Sequence, residues 1–420
     1  MALKRIALPQ YSIGIGDRFG LEGRAQVRAL KLALDKGVEV VPVWNKSNRE
    51  HTIIGTEPLS TRKEADSAVR DEKWTLPYFC DADHVGLKTV DRFLNVCDFF
   101  TFDVADFIGR PAPENETENF IEEFSPLVGK LHHPGLDEAI SITVQDLREF
   151  AKRYLLGLQE AEKINAYLRK SKGEGSFITE VSVDEATQPQ TPAELYLFLA
   201  GLAKLGVQVQ TIAPKFCGKF LKGIDYVGDV AAFISEFESD LAVVEIAKTR
   251  FSLPSELKLS VHSGSDKFSL YPPMNALLKR YNAGVHLKTA GTTWLEEVVG
   301  LAADQKGLAI AKKIYSQAFE RIEELRKPYE TVVEINVNNL PVPSIVEQWN
   351  SDDFVSTLRH DQSNPRLNLD FRQLVHIAFR IAAEMGEEYI AGLQNARGVI
   401  EQNVTDNLFI RHLQPLFLGK

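Results

Sequence analysis

Leu76-Pro77-Tyr78-Phe79-Cys80-Asp81-Ala82-Asp83-His84 is an apolar, aromatic run that ends abruptly in two acids and a histidine. Such a run reads as a buried strand whose carboxyl end delivers polar side chains into a cavity. Two later segments end the same way: Phe177-Ile178-Thr179-Glu180-Val181-Ser182-Val183-Asp184 and Leu257-Lys258-Leu259-Ser260-Val261-His262. Three such endings on separate strands point to chemistry at one end of a parallel sheet.

Working outward, Tyr11 to Phe19 reads as a first strand entering a turn, and its two glycines lack the third that a dinucleotide loop needs. From Leu21 to Lys36, Val27, Leu30 and Leu34 share one helical face, with Gly37 as the stop. Val38 to Trp44 is a second strand, opening into Asn45-Lys46-Ser47-Asn48-Arg49-Glu50-His51, whose density of hydrogen-bonding groups suits a polyhydroxylated ligand as well as a solvated loop. Cys97 to Asp103 is a fourth strand. Strand and helix alternate at roughly thirty-residue spacing, the rhythm of parallel strands joined by crossovers. Further strands are expected at Gln208 to Ala213 and Gly284 to Lys288, and a helix capped by Thr191 with Pro192 at its first position. The total is eight, the number that closes a (β/α)8 barrel.

The expected fold is therefore α/β, a TIM-like barrel interrupted once and extended once. Residues 1–107 form its first half and 174–300 its second. Between them, residues 108–173 are too long for a connection and carry a helical period from Gln145 to Arg169, an inserted helical cap near the barrel mouth. Residues 301–420 read as a mostly helical extension, packed on the barrel or at an interface of a homo-oligomer.

Composition narrows the function. The apolar fraction of 44% fills a large core without any stretch long enough to span a membrane. The amino terminus lacks the long apolar core of a signal peptide. Cys80, Cys97 and Cys217 form neither a disulfide framework nor a zinc ribbon, which suits the cytoplasm. A net charge of −10 with dispersed basic residues argues against a nucleic-acid partner but not against a small anionic substrate.

The expected strand ends present Asp17, Glu50, Asp83, His84, Glu180, Asp184, Lys215, His262, Asp266, Lys267, His286 and Lys288. Histidines and a carboxylate from separate strands can converge on one divalent cation, with zinc, nickel, cobalt or manganese better suited than calcium.

The order Asp83-His84, Glu180, Thr191-Pro192-Ala193-Glu194-Leu195, Gly206-Val207-Gln208-Val209 and His262-Ser263-Gly264-Ser265 resembles the class II, metal-dependent ketose aldolases. That resemblance implies His84, Glu180 and His262 as metal ligands, with His286 a further candidate, and Asp83 as the group that moves a hydroxyl proton. Two departures stand out. Pro214-Lys215-Phe216 replaces a further metal histidine, and Ser265-Asp266-Lys267 replaces the glycine loop for a phosphate.

Across the whole chain, Gly14-Ile15-Gly16-Asp17-Arg18-Phe19, Pro42-Val43-Trp44-Asn45-Lys46-Ser47, Thr179 to Glu185, Thr211 to Phe216 and Lys288-Thr289-Ala290-Gly291-Thr292 are similar to the tagaturonate epimerase family. The resemblance implies a barrel enzyme interconverting tagaturonate and fructuronate at carbon 4. Carbon 4 of a 2-ketose is not adjacent to the carbonyl, so proton abstraction there has no resonance outlet, whereas retro-aldol cleavage does. The expected route is metal-assisted cleavage through an enediolate on the metal, with Asp83 on one face and Asp184 or Glu50 on the other. Substrate contacts are expected from Asp17, Arg18, Asn45, Lys46, Ser47, Lys215, Ser263, Lys267, Lys288 and Thr289. The alternatives are a class II-type aldolase acting on an unphosphorylated ketose or keto acid, and a non-catalytic barrel partner of an aldolase.

Overall fold

The structure is a computed structural model that describes residues 5–134, 136, 138–262, 264–288 and 293–420. Eight parallel strands close a barrel: β1 (Tyr11–Ile15), β2 (Val41–Ser47), β3 (Phe79–Val85), β4 (Phe99–Asp103), then β7 (Ile178–Ser182), β8 (Thr211–Ala213), β9 (Lys258–Val261) and β10 (Val285–Lys288), which pairs back onto β1. Each expected strand is present in its expected place. The two intervening strands, β5 (Gly129–Leu131) and β6 (Ile140–Ile142), form a separate antiparallel pair.

Because side chains alternate along a strand, every second residue faces the barrel axis. The inward positions are graded in polarity. At the amino-terminal floor Val41, Val43, Phe79, Phe99 and Ile178 form an apolar plug with Leu8. One step up the strands stand Ser12, Asp81, Thr101, Glu180 and His286, all buried. A further step brings Asp83, His262 and Lys288 to the carboxyl-terminal mouth. The outward positions, such as Trp44, Ala82, Phe100 and Val181, pack beneath the surrounding helices.

The segment 108–173 departs from expectation in its role. Its long helix, Val144–Lys172, starts from a capping box of Thr143 and Asp146 and buries Leu147, Phe150, Tyr154, Leu158 and Ile164. It packs against helices Pro192–Lys204 and Glu114–Phe124, as an outer helix of the barrel. None of its described residues lines the cavity at the mouth. The roof comes instead from the extension, through Tyr329 and His376.

That extension has its own core. Trp294, Leu295, Val298 and Val299 of helix Thr293–Ala303 pack with Phe371, Tyr389 and Ile400. The last helical turns, Asn407–Leu418, lie against helices Gly23–Asp35 and Tyr271–Tyr281, bridging the first and last parts of the barrel. Among the described residues, no helix is long and apolar enough to cross a membrane.

Candidate active site

The register of β3 against β4 slips between Ala82 and Val85, so that the chain carries an extra residue there. Asp83 and His84 sit in this bulge, and His84 adopts a left-handed φ of 52°. A bulge re-aims side chains, and a left-handed non-glycine residue costs about 1–3 kcal/mol that its surroundings must offset. Here the distortion turns two successive side chains toward one cavity.

That cavity has a volume of about 330 Å³ at the carboxyl ends of the strands. Within it His84, Asp184 and His262 each offer a ligand atom, all within 4.8 Å of one another. The two imidazoles meet edge to face with centroids 5.6 Å apart. His262 is fixed from behind: its Nε2–H donates to Glu180 Oε1 at 2.7 Å, which leaves Nδ1 toward Asp184 Oδ1 at 3.5 Å. Nδ1 of His84 is buried without a hydrogen-bond partner.

Lys288 is the second organising group. Its Nζ lies 2.9 Å from Asp81 Oδ2, 2.8 Å from Asp83 Oδ1, 2.9 Å from Glu180 Oε1 and 2.7 Å from Thr101 Oγ1. Burial alone would raise every one of these carboxyls. At Asp83 that tendency is overcome by Lys288, His84 and His262, so the group is held below the usual carboxylate range. Glu180 is held well below it by Lys288 and His262 against the same burial. Asp81 ends raised, because burial and the charges of Asp83 and Glu180 outweigh Lys288. One lysine thus keeps two acids ionised and leaves the third inclined to hold its proton.

The histidines show the sign of the local field. Burial pulls His262 down, yet Glu180 and Asp184 bring it up to about 9, and Asp83 and Asp184 raise His84 against burial. A site that draws protons onto buried imidazoles is prepared for positive charge.

Of the residues singled out from sequence, Arg18, Asn45, Ser47, Glu50, Asp83, His84, Asp184, His262 and Lys288 line the cavity. Asn45 presents a buried Oδ1 with no partner. Glu50 is at the wall, but its carboxylate closes a capping box with Ser47 and lies 3.4 Å from Arg18. Asp184 falls in the cluster of potential ligands rather than apart from it.

Seven others stand elsewhere; one, Asp266, is buried and pairs with Arg372 at 3.0 Å. Glu180 lies behind His262, and His286 lies a layer below Lys288, where its Nδ1 is 2.8 Å from Ser12 Oγ and burial lowers it to about 3. Neither belongs to the three-residue cluster. Asp17 accepts backbone N–H groups from Phe19, Leu21 and Glu22, and so shapes the loop that carries Arg18. Lys46 donates to the Arg18 carbonyl at 2.5 Å. Lys267 donates to the carbonyl of Ser265 at 2.8 Å and reaches that of Lys288 at 3.3 Å, strapping two loops together. Lys215 follows β8 without lining the cavity. Ser263 and Thr289 lie outside the described residues.

The wall also holds Arg49, Asp103, Glu185, Lys222, Tyr329 and His376, which sequence reasoning had not selected. Arg49, Asp103 and Glu185 stood within or beside segments read as strand ends. Lys222, Tyr329 and His376 lie in long connections and in the extension, where no periodic pattern marks a functional position.

A family model described as tagaturonate epimerase (UxaE) matches residues 3–390. A tagaturonate/fructuronate epimerase of Thermotoga maritima is 29% identical over 382 residues, 88% of this chain and 72% of that protein. Crystal structures of the fructuronate-tagaturonate epimerase UxaE from Cohnella laeviribosi, with one glycerol and in native form, align with TM-scores of 0.81 and 0.78. Their identity is 26%, over 98% of this chain and 82% of theirs. The chain belongs to the tagaturonate epimerase family and is an isomerase of the epimerase class.

Proposed function

We propose that the chain interconverts tagaturonate and fructuronate by opening and remaking the bond between carbons 3 and 4, with a divalent cation held by His84, Asp184 and His262. The observation that carries this reading is the convergence of those three residues beside an ionised Asp83 at the mouth of a barrel of this family.

The donor set fits such a cation. Two imidazoles and a carboxylate suit zinc, nickel, cobalt or manganese. The buried, unpartnered Nδ1 of His84 needs an acceptor for its lone pair or a proton, and Glu180 behind His262 completes a carboxylate-histidine pair of the kind that orients a ligating ring. When bound, the cation would supply Lewis-acid polarisation of a substrate oxygen.

The chain's own residues do the rest. Asp83, kept ionised by Lys288, accepts the proton of the carbon 4 hydroxyl. As that oxygen becomes a carbonyl, the bond from carbon 3 to carbon 4 breaks and its electron pair passes toward the carbon 2 carbonyl. The fragments are dihydroxyacetone, as its enolate, and tartronate semialdehyde. The aldehyde turns, carbon 3 attacks its other face, and the new carbon 4 oxygen takes up a proton. Glu185 is suited to relay that proton from solvent, since its carboxylate lines the cavity with no hydrogen bond or ion pair among the described residues, whereas Glu50 is occupied by its cap. Solvent exchange then resets the two acids. Tyr329 and His376 roof the mouth and hold the fragments in place.

Proton NMR of tagaturonate with the purified protein tests this. Fructuronate should form, chelation should stop it, and an added divalent cation should restore it. Free tartronate semialdehyde accumulating without fructuronate would indicate an aldolase instead, and no turnover of either hexuronate would overturn the reading.

A further inference from the structure

The cavity carries both signs of charge. Its acids are Asp83 and Asp184, already engaged by Lys288 and the imidazoles, with Asp103, Glu185 and the capping Glu50, and its basic side carries Arg18, Arg49 and Lys222. Lys222 is the most telling of these. The loop after β8 is pinned there by two backbone bonds, Lys222 N–H to Val332 O and Gly223 N–H to Gly264 O, each 2.9 Å. Its ammonium nevertheless has no hydrogen bond or ion pair among the described residues, although it lines the cavity. Arg49 is similarly placed, its guanidinium 5.1 Å from the centre of the Tyr329 ring and unengaged by any acid among the described residues. Arg18 is only 7% exposed, stacks 4.4 Å over the Phe379 ring and reaches Glu50 at 3.4 Å.

His376 closes this side. It is 2% exposed, and its Nε2 has no hydrogen-bond partner while the residue lines the cavity. A Cβ added at Gly264 would stand 3.0 Å from Lys222 Cδ and 3.3 Å from His376 Nε2, so the lysine stem, the imidazole and this glycine are immediate neighbours. Burial, then Arg18, Lys222 and Arg372, hold His376 well below its usual range. An imidazole kept neutral by burial, and further by the cations beside it, offers a ligand a neutral hydrogen-bonding atom.

We propose that Lys222, Arg49 and Arg18, with His376 beside them, form the seat of the substrate's carbon 6 carboxylate, and so select a sugar acid over a neutral ketose. This rests on the hexuronate reading above. The other lysines considered are unsuited: Lys288 is surrounded by carboxylates and Lys267 holds backbone carbonyls. With the carboxylate seated on the basic side, carbons 2 to 4 fall toward Asp83, His84 and His262. A charge-assisted bond to a carboxylate is strong enough that its loss weakens binding severalfold to a hundredfold.

Calorimetric titration of the intact protein with tagaturonate, D-tagatose and D-tagatose 6-phosphate tests the seat. In Lys222→Met the dissociation constant for tagaturonate should rise about tenfold to a hundredfold, in Arg49→Gln it should rise by a smaller factor, and Lys222→Arg should recover most of the loss. Binding of tagatose, which lacks the carboxylate, should be unchanged, and melting temperatures should stay with the parent protein. Wild-type affinity for tagaturonate in Lys222→Met, an equal loss for tagatose, or tighter binding of the phosphate ester would each overturn the assignment. Binding of tagaturonate without turnover removes the proposed reaction and leaves the seat. Turnover with unchanged affinity in the variants does the reverse.

Discussion

Nε2 of His262 and Oε1 of Glu180 are 2.7 Å apart, both buried, on adjacent sides of β8 in the barrel wall. The pair holds the proton on Nε2 of His262 and turns Nδ1 toward Asp184, so Nδ1 is the nitrogen that can give up its proton to bind a ligand. Glu180 acts on the site through His262.

Replacing that anion by its neutral isostere, Glu180→Gln, retains an acceptor for Nε2–H but removes the charge. Removing a partner of this kind typically weakens metal binding about tenfold to a hundredfold. Competition with a chromophoric chelator should show that loss with the circular dichroism unchanged; wild-type metal affinity would remove Glu180 from this role.

Lys288 stands among three acids, so Lys288→Met removes their shared ammonium and leaves only the imidazoles of His84 and His262 beside Asp83 and Glu180. The expected destabilisation is about 3–5 kcal/mol, the usual consequence of stranding buried charge. Denaturant unfolding reads it, and adding Asp83→Asn should restore part of the loss by removing one of the two ionised acids. A stable single variant would show that solvent, not Lys288, compensates them.

The pH dependence of stability has a contributor remote from the site. Burial, then Asp17 and Glu401, push Glu22 up to about 8, whereas an unfolded glutamate titrates at about 4.3. Folding therefore favours the protonated acid: its contribution is complete below the unfolded value and is lost as the pH rises through the folded one. Glu22→Gln should melt progressively higher than the parent as the pH goes from about 5 to about 9. A constant difference across that range would contradict the shift.

Gly264 leaves room for Lys222 and His376, as the 3.0 and 3.3 Å approaches of an added Cβ show. Gly264→Ala should crowd the basic side of the cavity and raise KM for tagaturonate more than it lowers kcat, by about tenfold or less, since the lysine stem can yield. Steady-state kinetics checks this; an unchanged KM would place the substrate elsewhere.

The barrel was legible because each strand carries a compact apolar run closed by polar residues, and a parallel barrel gathers such endings at one mouth. That is why His84 and His262 could be paired although 178 positions separate them. What one-dimensional reading blurred was depth. His286 and Lys288 face the same way, but two residues of strand shift a side chain by about 6.6 Å along the axis, and Asp184 stands four residues beyond Glu180, past the end of β7. Glu180 and His286 therefore lie beneath the mouth. Asp17 and Lys46 have ligand-like chemistry that the backbone of the Arg18 loop consumes. The roof residues Tyr329 and His376 reach the cavity through the packing of the extension, which leaves no local mark. The described residues of 108–173, rich in helix, do not line the mouth because the apolar face of helix Val144–Lys172 is spent on the barrel's outer layer.

The most direct test of bond cleavage at this mouth is the natural-abundance carbon isotope effect on the conversion of tagaturonate to fructuronate, read by carbon NMR of the residual substrate. Opening between carbons 3 and 4 predicts a normal effect at both. An effect at carbon 4 with none at carbon 3 would contradict it.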